Sequence, residues 1–446
     1  MMKKRLWLLF ICMIMTATTA CGSGEGGKME GKEKTLTKEG KMVVTLSLQE
    51  PNAFYQAVEK KFEDKYPDID LQIQAYKQMG EKWEPGDFEK YRKTTNTALL
   101  SGKGADIIEV GSLPIGEYVS KQLLLNMDDY LEQAPLLNKS DLQMNALEAF
   151  KLNGGMYAMP SGFFLRAFIG DGDILENTSV DDKNWTWQEF KEVSKELMQK
   201  AGESSKEPRY ALANEPPEVI LQEMVVDSYT EFVDRAAQKA KFDSPLYVDM
   251  MQQTKKMYDD EVMTSKPAEI GKQLFYSAVL FSPADFIDVP RTFFSNPKLL
   301  HKPHAEGQTG GMRIIPTSQF AIQAKSPVKE EAWKFIAFLL SEEVQSLQER
   351  EGFSLLTSVN EKKLNDIQEQ VNIGTYKLPN GKAAKVQDEE FTQFKQILRT
   401  PYQFAMLDGK VIAMVGEESS SFFSGQKSAE EVAKLIQNRT TIYLNE

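Results

Sequence analysis

Val43-Val44-Thr45-Leu46-Ser47-Leu48 is an unbroken run of β-branched and apolar residues, and it predicts a buried strand. Gln49-Glu50-Pro51-Asn52 breaks the run. Phe54, Ala57, Val58 and Phe62 then recur at helical spacing and mark one apolar helix face, which Tyr66-Pro67-Asp68 closes. Ile69 to Ile73 alternates as a second strand. Ala105-Asp106-Ile107-Ile108-Glu109-Val110 is a third, preceded by Ser101-Gly102-Lys103-Gly104. Strand, helix, strand in this order predicts a parallel α/β layer with right-handed crossovers. Further along, Thr186 and Glu189 have capping-box spacing ahead of Phe190, Ser194 and Leu197. Ser326 stands before Pro327 as a helix cap, and Ala332, Phe335, Ile336, Leu339 and Leu340 carry that helix's apolar stripe. Trp187 and Phe190 are expected in the core, as is Phe335 rather than Trp333.

The first twenty residues follow a different pattern. Lys3, Lys4 and Arg5 precede an apolar run from Leu6 to Met15, too short to span a bilayer and the right size for an export signal. Ala20-Cys21-Gly22 resembles a bacterial lipobox, although Thr18 stands where Leu is usual. The expectation is a signal peptide over 1–20 and a lipidated Cys21, with simple cleavage after Ala20 as the alternative. Residues 21–41, rich in Gly, Lys and Glu, are expected to form a flexible tether.

The chain has 446 residues, long enough for two or more lobes. With 41% hydrophobic and 26% charged residues, it is neither mostly disordered, collagen-like nor polytopic. A net charge of −12 argues against a nucleic-acid partner. Cys12 and Cys21 are the sole cysteines, so nothing after Cys21 can form a disulfide, a Cys-based zinc site or a thiol nucleophile. His301 and His304 flank Pro303 and are expected in an exposed loop. No nucleophile elbow, P-loop, zinc-protease or dinucleotide motif is present, and no cofactor is expected. A carboxylate-built calcium site is the one metal site this composition leaves open. A glycosidase would leave no local signature.

The segment order resembles the extracellular solute-binding proteins of ABC importers, of the family 1 type that takes up sugars and oligosaccharides. The likeness rests on the first strand followed by Phe54 to Pro67, and on Gly104-Ala105-Asp106-Ile107-Ile108-Glu109-Val110. It continues through Asn153-Gly154-Gly155-Met156-Tyr157-Ala158-Met159-Pro160, Trp185-Thr186-Trp187-Gln188-Glu189-Phe190 and Gln319-Phe320-Ala321-Ile322. The resemblance implies an α/β, two-lobed, periplasmic-binding-protein-like (type II) fold with a hinge and a ligand cleft between the lobes. One lobe would take 42–162 plus 312–360, the other 163–311 plus 361–446. It also implies a monomeric, lipid-anchored receptor on the extracytoplasmic face of the cell membrane. That receptor would bind a small solute, a carbohydrate or oligosaccharide, and deliver it to the transmembrane subunits of an ABC permease without a catalytic step. A secreted carbohydrate-active enzyme and a ligand sensor coupled to a membrane kinase are the alternatives.

Sugar rings offer C–H faces to aromatic side chains and hydroxyls to donors and acceptors. Loops at strand C-terminal ends supply such groups in open α/β sheets. Here those loops hold Gln49, Glu50, Ser112, Ser161 and Phe163. By family position Asn214, Glu215, Ser282, Asp285 and Phe286 face them. Phe163 is expected to stack on the ligand and Asp285 to accept from its hydroxyls. Trp83 is either a lid over the ligand or an anchor for its loop.

Overall fold

The computed structural model describes residues 33–445 apart from 135–136, 177, 179, 205–208, 235–236, 309–310 and 405–406. The signal segment, Cys21 and the tether up to residue 32 lie outside the described residues. From residue 35 the tether is already folded: Val43 N–H donates to the Thr35 carbonyl at 3.0 Å, and Leu36 bridges Met42. Gly40, at φ +83°, makes the turn that brings them together.

In chain order the strands are β1 (Met42–Leu48), β2 (Ile69–Ala75), β3 (Ile107–Glu109), β4 (Met159–Pro160), β5 (Phe163–Asp171), β6 (Val233–Asp234), β7 (Lys239–Ala240), β8 (Phe275–Leu280), β9 (Pro297–Leu300), β10 (Met312–Pro316), β11 (Gln319–Ile322) and β12 (Tyr402–Gln403). The first sheet has the order β2-β1-β3-β11-β4, with β1, β2 and β3 parallel as the strand–helix–strand pattern requires. The second has the order β12-β10-β5-β8, with β9 also on β5; β6 and β7 form a small hairpin.

Helix 53–65 buries Phe54, Tyr55, Val58 and Phe62 against the first sheet, and Asn52 caps it by accepting from Tyr55 N–H at 3.1 Å. The Thr186–Glu189 capping box forms with both reciprocal bonds. Ser326 does not cap a helix. The helix begins at Lys329, while the Ser326 hydroxyl donates to the buried Asp106 carboxylate at 3.0 Å and accepts from Val328 N–H. Trp333 is buried along with Phe335, because the wide stripe of helix 329–339 also packs Tyr130.

The chain passes between the sheets at Ser161-Gly162, joining β4 to β5, and at Thr317-Ser318, joining β10 to β11. Met312–Pro316, grouped with the first lobe by the sequence, pairs with β5 and β12 of the second sheet; the return lies just beyond it. A third segment lies against the first crossover, where Phe353 N–H donates to the Phe163 carbonyl at 2.7 Å. The packing there is close enough that a Cβ on Gly162 would sit 2.9 Å from the Phe353 carbonyl oxygen.

The largest core runs across both sheets. It joins Val44, Leu46 and Phe320 of the first to Phe163, Leu165, Ala167, Leu280 and Ile314 on one face of the second, through Phe353 and Leu355. A second core fills the other face of the second sheet under helices 187–204, 217–227 and 245–259. A third, around Tyr91, Ile108 and Tyr118, covers the other side of the first sheet. Among the described residues no helix is long and apolar enough to cross a membrane.

Candidate ligand-binding site

Parallel strands β1 and β3 end side by side, and the loops after them bring their polar residues together. Gln49 Nε2 donates to Ser112 Oγ. The Tyr55 hydroxyl donates to Glu109 Oε1 at 3.2 Å and lies 3.0 Å from Ser318 Oγ, at the second crossover. Burial pushes the Glu109 carboxyl above its ordinary range, against the bonds from Tyr55, the Gln49 backbone and Ser318, which favour the charge. Glu50 points to the neighbouring loop, accepting from Trp83 Nε1 and from Gly80 N–H, each at 2.8 Å. Those bonds, that of Trp83 foremost, hold its carboxyl below the usual range. Trp83 also packs on Tyr76 with ring centroids 5.8 Å apart, so it serves as the anchor of its loop.

At the first crossover the Ser161 hydroxyl is buried and lies 2.9 Å from Thr317 Oγ1. Phe163, expected to stack on a ligand, is 0% exposed and packs on Phe353 at 5.7 Å and Tyr402 at 5.4 Å. Alternation in β5 sends it into the shared core and its neighbour Phe164 to the opposite face. Phe164 is half-buried there and meets Phe281 edge-on at 4.9 Å. Phe286 is likewise core, stacked on Phe394 at 4.3 Å. Asp285 Oδ2 accepts from Phe281 N–H at 2.6 Å and Ser282 N–H at 3.1 Å, so this carboxylate closes its own turn.

Two residues beyond Phe164, Arg166 opens a charged cluster that the sequence reading missed. Arg166 Nη1 donates to Glu223 Oε1 at 2.9 Å. Arg313, its register partner on β10, reaches Glu223 Oε2 at 3.2 Å and Asp227 Oδ1 at 2.9 Å, and Lys302 also donates to Glu223. Burial alone would raise the Glu223 carboxyl, but the charges of Lys302, Arg313 and Arg166 win and bring it down to about 2. Asp227 is raised by burial, with Lys302 and Arg313 opposing. Glu215, expected at the site, is near this cluster; burial raises its carboxyl while Lys302 and Arg166 pull the other way. Asn214 beside it is exposed and takes a left-handed turn at φ +59°. A cavity of about 30 Å³, the size of one water, lies among Arg166, Asp227, Lys302, Arg313 and Gln403.

A much larger gap, about 990 Å³, opens between the lobes. Glu117, Lys121 and Asn153 line it from the first lobe; Asp227, Tyr229 and Phe404 line it from the second. The histidines are not in an exposed loop. His304 is buried, and His301 Nδ1 lies 3.0 Å from Asp182 Oδ2. Among the described residues no group of three or more His, Asp or Glu could hold a metal ion. A usable signal for Arg166 and Arg313 was available: each is a single cation flanked by apolar residues in its strand.

A family model described as bacterial extracellular solute-binding protein matches residues 47–346. A family 1 extracellular solute-binding protein from Alicyclobacillus acidocaldarius superposes with a TM-score of 0.59 at 16% identity, covering 93% of this chain and 100% of that one. A periplasmic oligogalacturonide-binding protein from Yersinia enterocolitica gives 0.59 at 15% identity, covering 90% and 99%. The sugar-binding protein MalE from Xanthomonas citri gives 0.58 at 15%, covering 90% and 97%. At these identities the likeness is one of fold: two α/β lobes.

Proposed function

This chain belongs to the bacterial extracellular solute-binding protein family, and on that premise we propose that it is the carbohydrate receptor of an ABC importer. It captures its ligand between the lobes, closes, and hands it to the transmembrane subunits of the permease, with no catalytic step. The observation that carries this reading is the gap of about 990 Å³ lined by both lobes, which has room for an oligosaccharide. The polar groups at the strand ends, Gln49, Glu109, Ser112 and Ser318, offer the donors and acceptors that sugar hydroxyls need. Two of the structural neighbours are named for sugar or oligogalacturonide binding.

Thermal shift with a panel of oligosaccharides, monosaccharides and unrelated metabolites tests the proposal. A ligand that binds only the folded state raises the melting temperature. At least one saccharide should do so, with a matching Kd by titration calorimetry; a response to non-sugar metabolites alone would sink the carbohydrate assignment. We further propose that Cys21 is lipidated and holds the protein on the extracytoplasmic face of the membrane. Cys21→Ser should release the protein to the medium or leave an unprocessed precursor, and unchanged membrane retention would count for plain secretion.

A further inference from the structure

Where helix 217–227 meets the second sheet, more positive than negative charge is gathered. Arg166 of β5 and Arg313 of β10 are register partners, and Lys302 follows β9. All three donate to Glu223 of the helix, and Arg313 also reaches Asp227, the last helical residue. Three cations therefore share two carboxylates. Glu215 stands nearby with its carboxyl raised by burial, and among the described residues it makes no ion pair with them. The Glu223 and Arg313 side chains are only 19% and 12% exposed. A charge shielded from water to that degree is costly unless an opposite charge matches it.

The water-sized cavity lies among these cations. Its walls come from strands of the second sheet, from Asp227 and from the segment 302–304, so it belongs to one lobe. Asp227 also lines the gap between the lobes. His304 supplies an independent sign. Its imidazole lines the cavity and is 9% exposed. Nδ1 lies 2.9 Å from the Ala305 carbonyl oxygen and donates to it. Nε2 is buried and has no hydrogen-bond partner among the described residues. A buried ring nitrogen left without a partner, beside unmatched positive charge, calls for a small bound species.

We propose that this cavity is a site for one small monovalent anion of the halide class, held by Arg166, Arg313 and Lys302. One negative charge brings the cluster to three against three. Arg166 uses Nη1 on Glu223 and has further N–H donors for a guest. Beside an anion the His304 ring holds a proton on Nε2 as well, and that N–H donates to the guest. Size completes the selection, because room for one water excludes sulfate, phosphate and the acid group of a sugar. The inference stands on the ion pairs and the cavity and does not depend on the carbohydrate reading.

Crystals of the mature protein soaked in sodium bromide give the direct answer, because bromide scatters anomalously. A peak should stand in the cavity among Arg166, Arg313 and His304; a cavity filled by water alone overturns the inference. Melts in sodium chloride and sodium gluconate at equal ionic strength, where screening is the same, test it in solution. Chloride should raise the wild-type melting temperature saturably, by about 1–2 °C, as a ligand of the folded state does. Arg166→Gln leaves two cations for two carboxylates, with Glu223 still held by Lys302 and Arg313, and should lose that rise. An equal rise in both proteins would be a general salt effect and would also overturn the site. Should Arg166→Gln fail to fold, the bromide peak in the wild-type crystal decides alone.

Discussion

On the first lobe, Glu109 meets neutral partners, Tyr55, Ser318 and the Gln49 backbone; on the second, Glu223 meets Arg166, Lys302 and Arg313. The first cluster sits where loops follow strands, the second on a sheet face. Neutral hydroxyl and amide bonds such as Gln49–Ser112 can be exchanged for bonds to a ligand at little cost, since one donor replaces another. The ion cluster cannot give up a member so easily, because each loss leaves a buried charge without its partner. The first cluster can thus rearrange its bonds, and the second holds a fixed geometry.

Truncation should separate the two clusters most clearly. Glu223→Ala leaves three cations around an empty centre and should cost about 3–5 kcal/mol in urea unfolding at pH 7. Glu109→Ala should cost about 1–3 kcal/mol, the scale for polar partners left unsatisfied. Equal costs would erase the distinction.

Acid titration sharpens it, because the two carboxyls have opposite signs. Glu223 is depressed from 4.5 to about 2 in the folded state, so its contribution, roughly 3 kcal/mol, is fully present above pH 4.5 and is lost as pH falls toward 2. Glu109 is raised, so the folded state holds its proton more tightly than the unfolded chain does. Its effect on stability improves as pH falls through the raised value toward 4.5. Stability curves of Glu223→Gln and Glu109→Gln, each subtracted from wild type, should slope in opposite directions; parallel curves would contradict the assignments.

The smallest effect concerns the loop beside the first cluster. Trp83→Phe keeps the packing on Tyr76 but removes the bond to Glu50, and should lower the melting temperature slightly. An unchanged melting temperature would mean that the ring packing, rather than the N–H, holds the loop.

Where a feature depends on neighbours in sequence, it is legible. The run 43–48 lies within β1, helix 53–65 follows its apolar spacing, and Thr186 with Glu189 makes the capping box. Gln49 and Ser112 could be placed at strand ends because the strands themselves were clear. Phe163 and Phe164 could not be told apart, since alternation sorts side chains into two faces without saying which face meets the core. That choice is made by Phe353 and Tyr402, far along the chain. Ser326 fitted a helix cap by local pattern, yet Asp106, just ahead of β3 and far off in sequence, claims its hydroxyl. The Glu223 cluster draws on residues from 166 to 313, and no window of sequence contains it.

The apolar core that passes from Val44 and Phe320 through Phe353 to Leu165 and Ile314 binds the two sheets along one side only. It packs the two sheets onto one common interior. It also denies them independent unfolding, because neither sheet can keep its own inner face covered once the other is lost. A differential scanning calorimeter should therefore record a single cooperative unit, its van't Hoff and calorimetric enthalpies in agreement, where two separately stable lobes would give two.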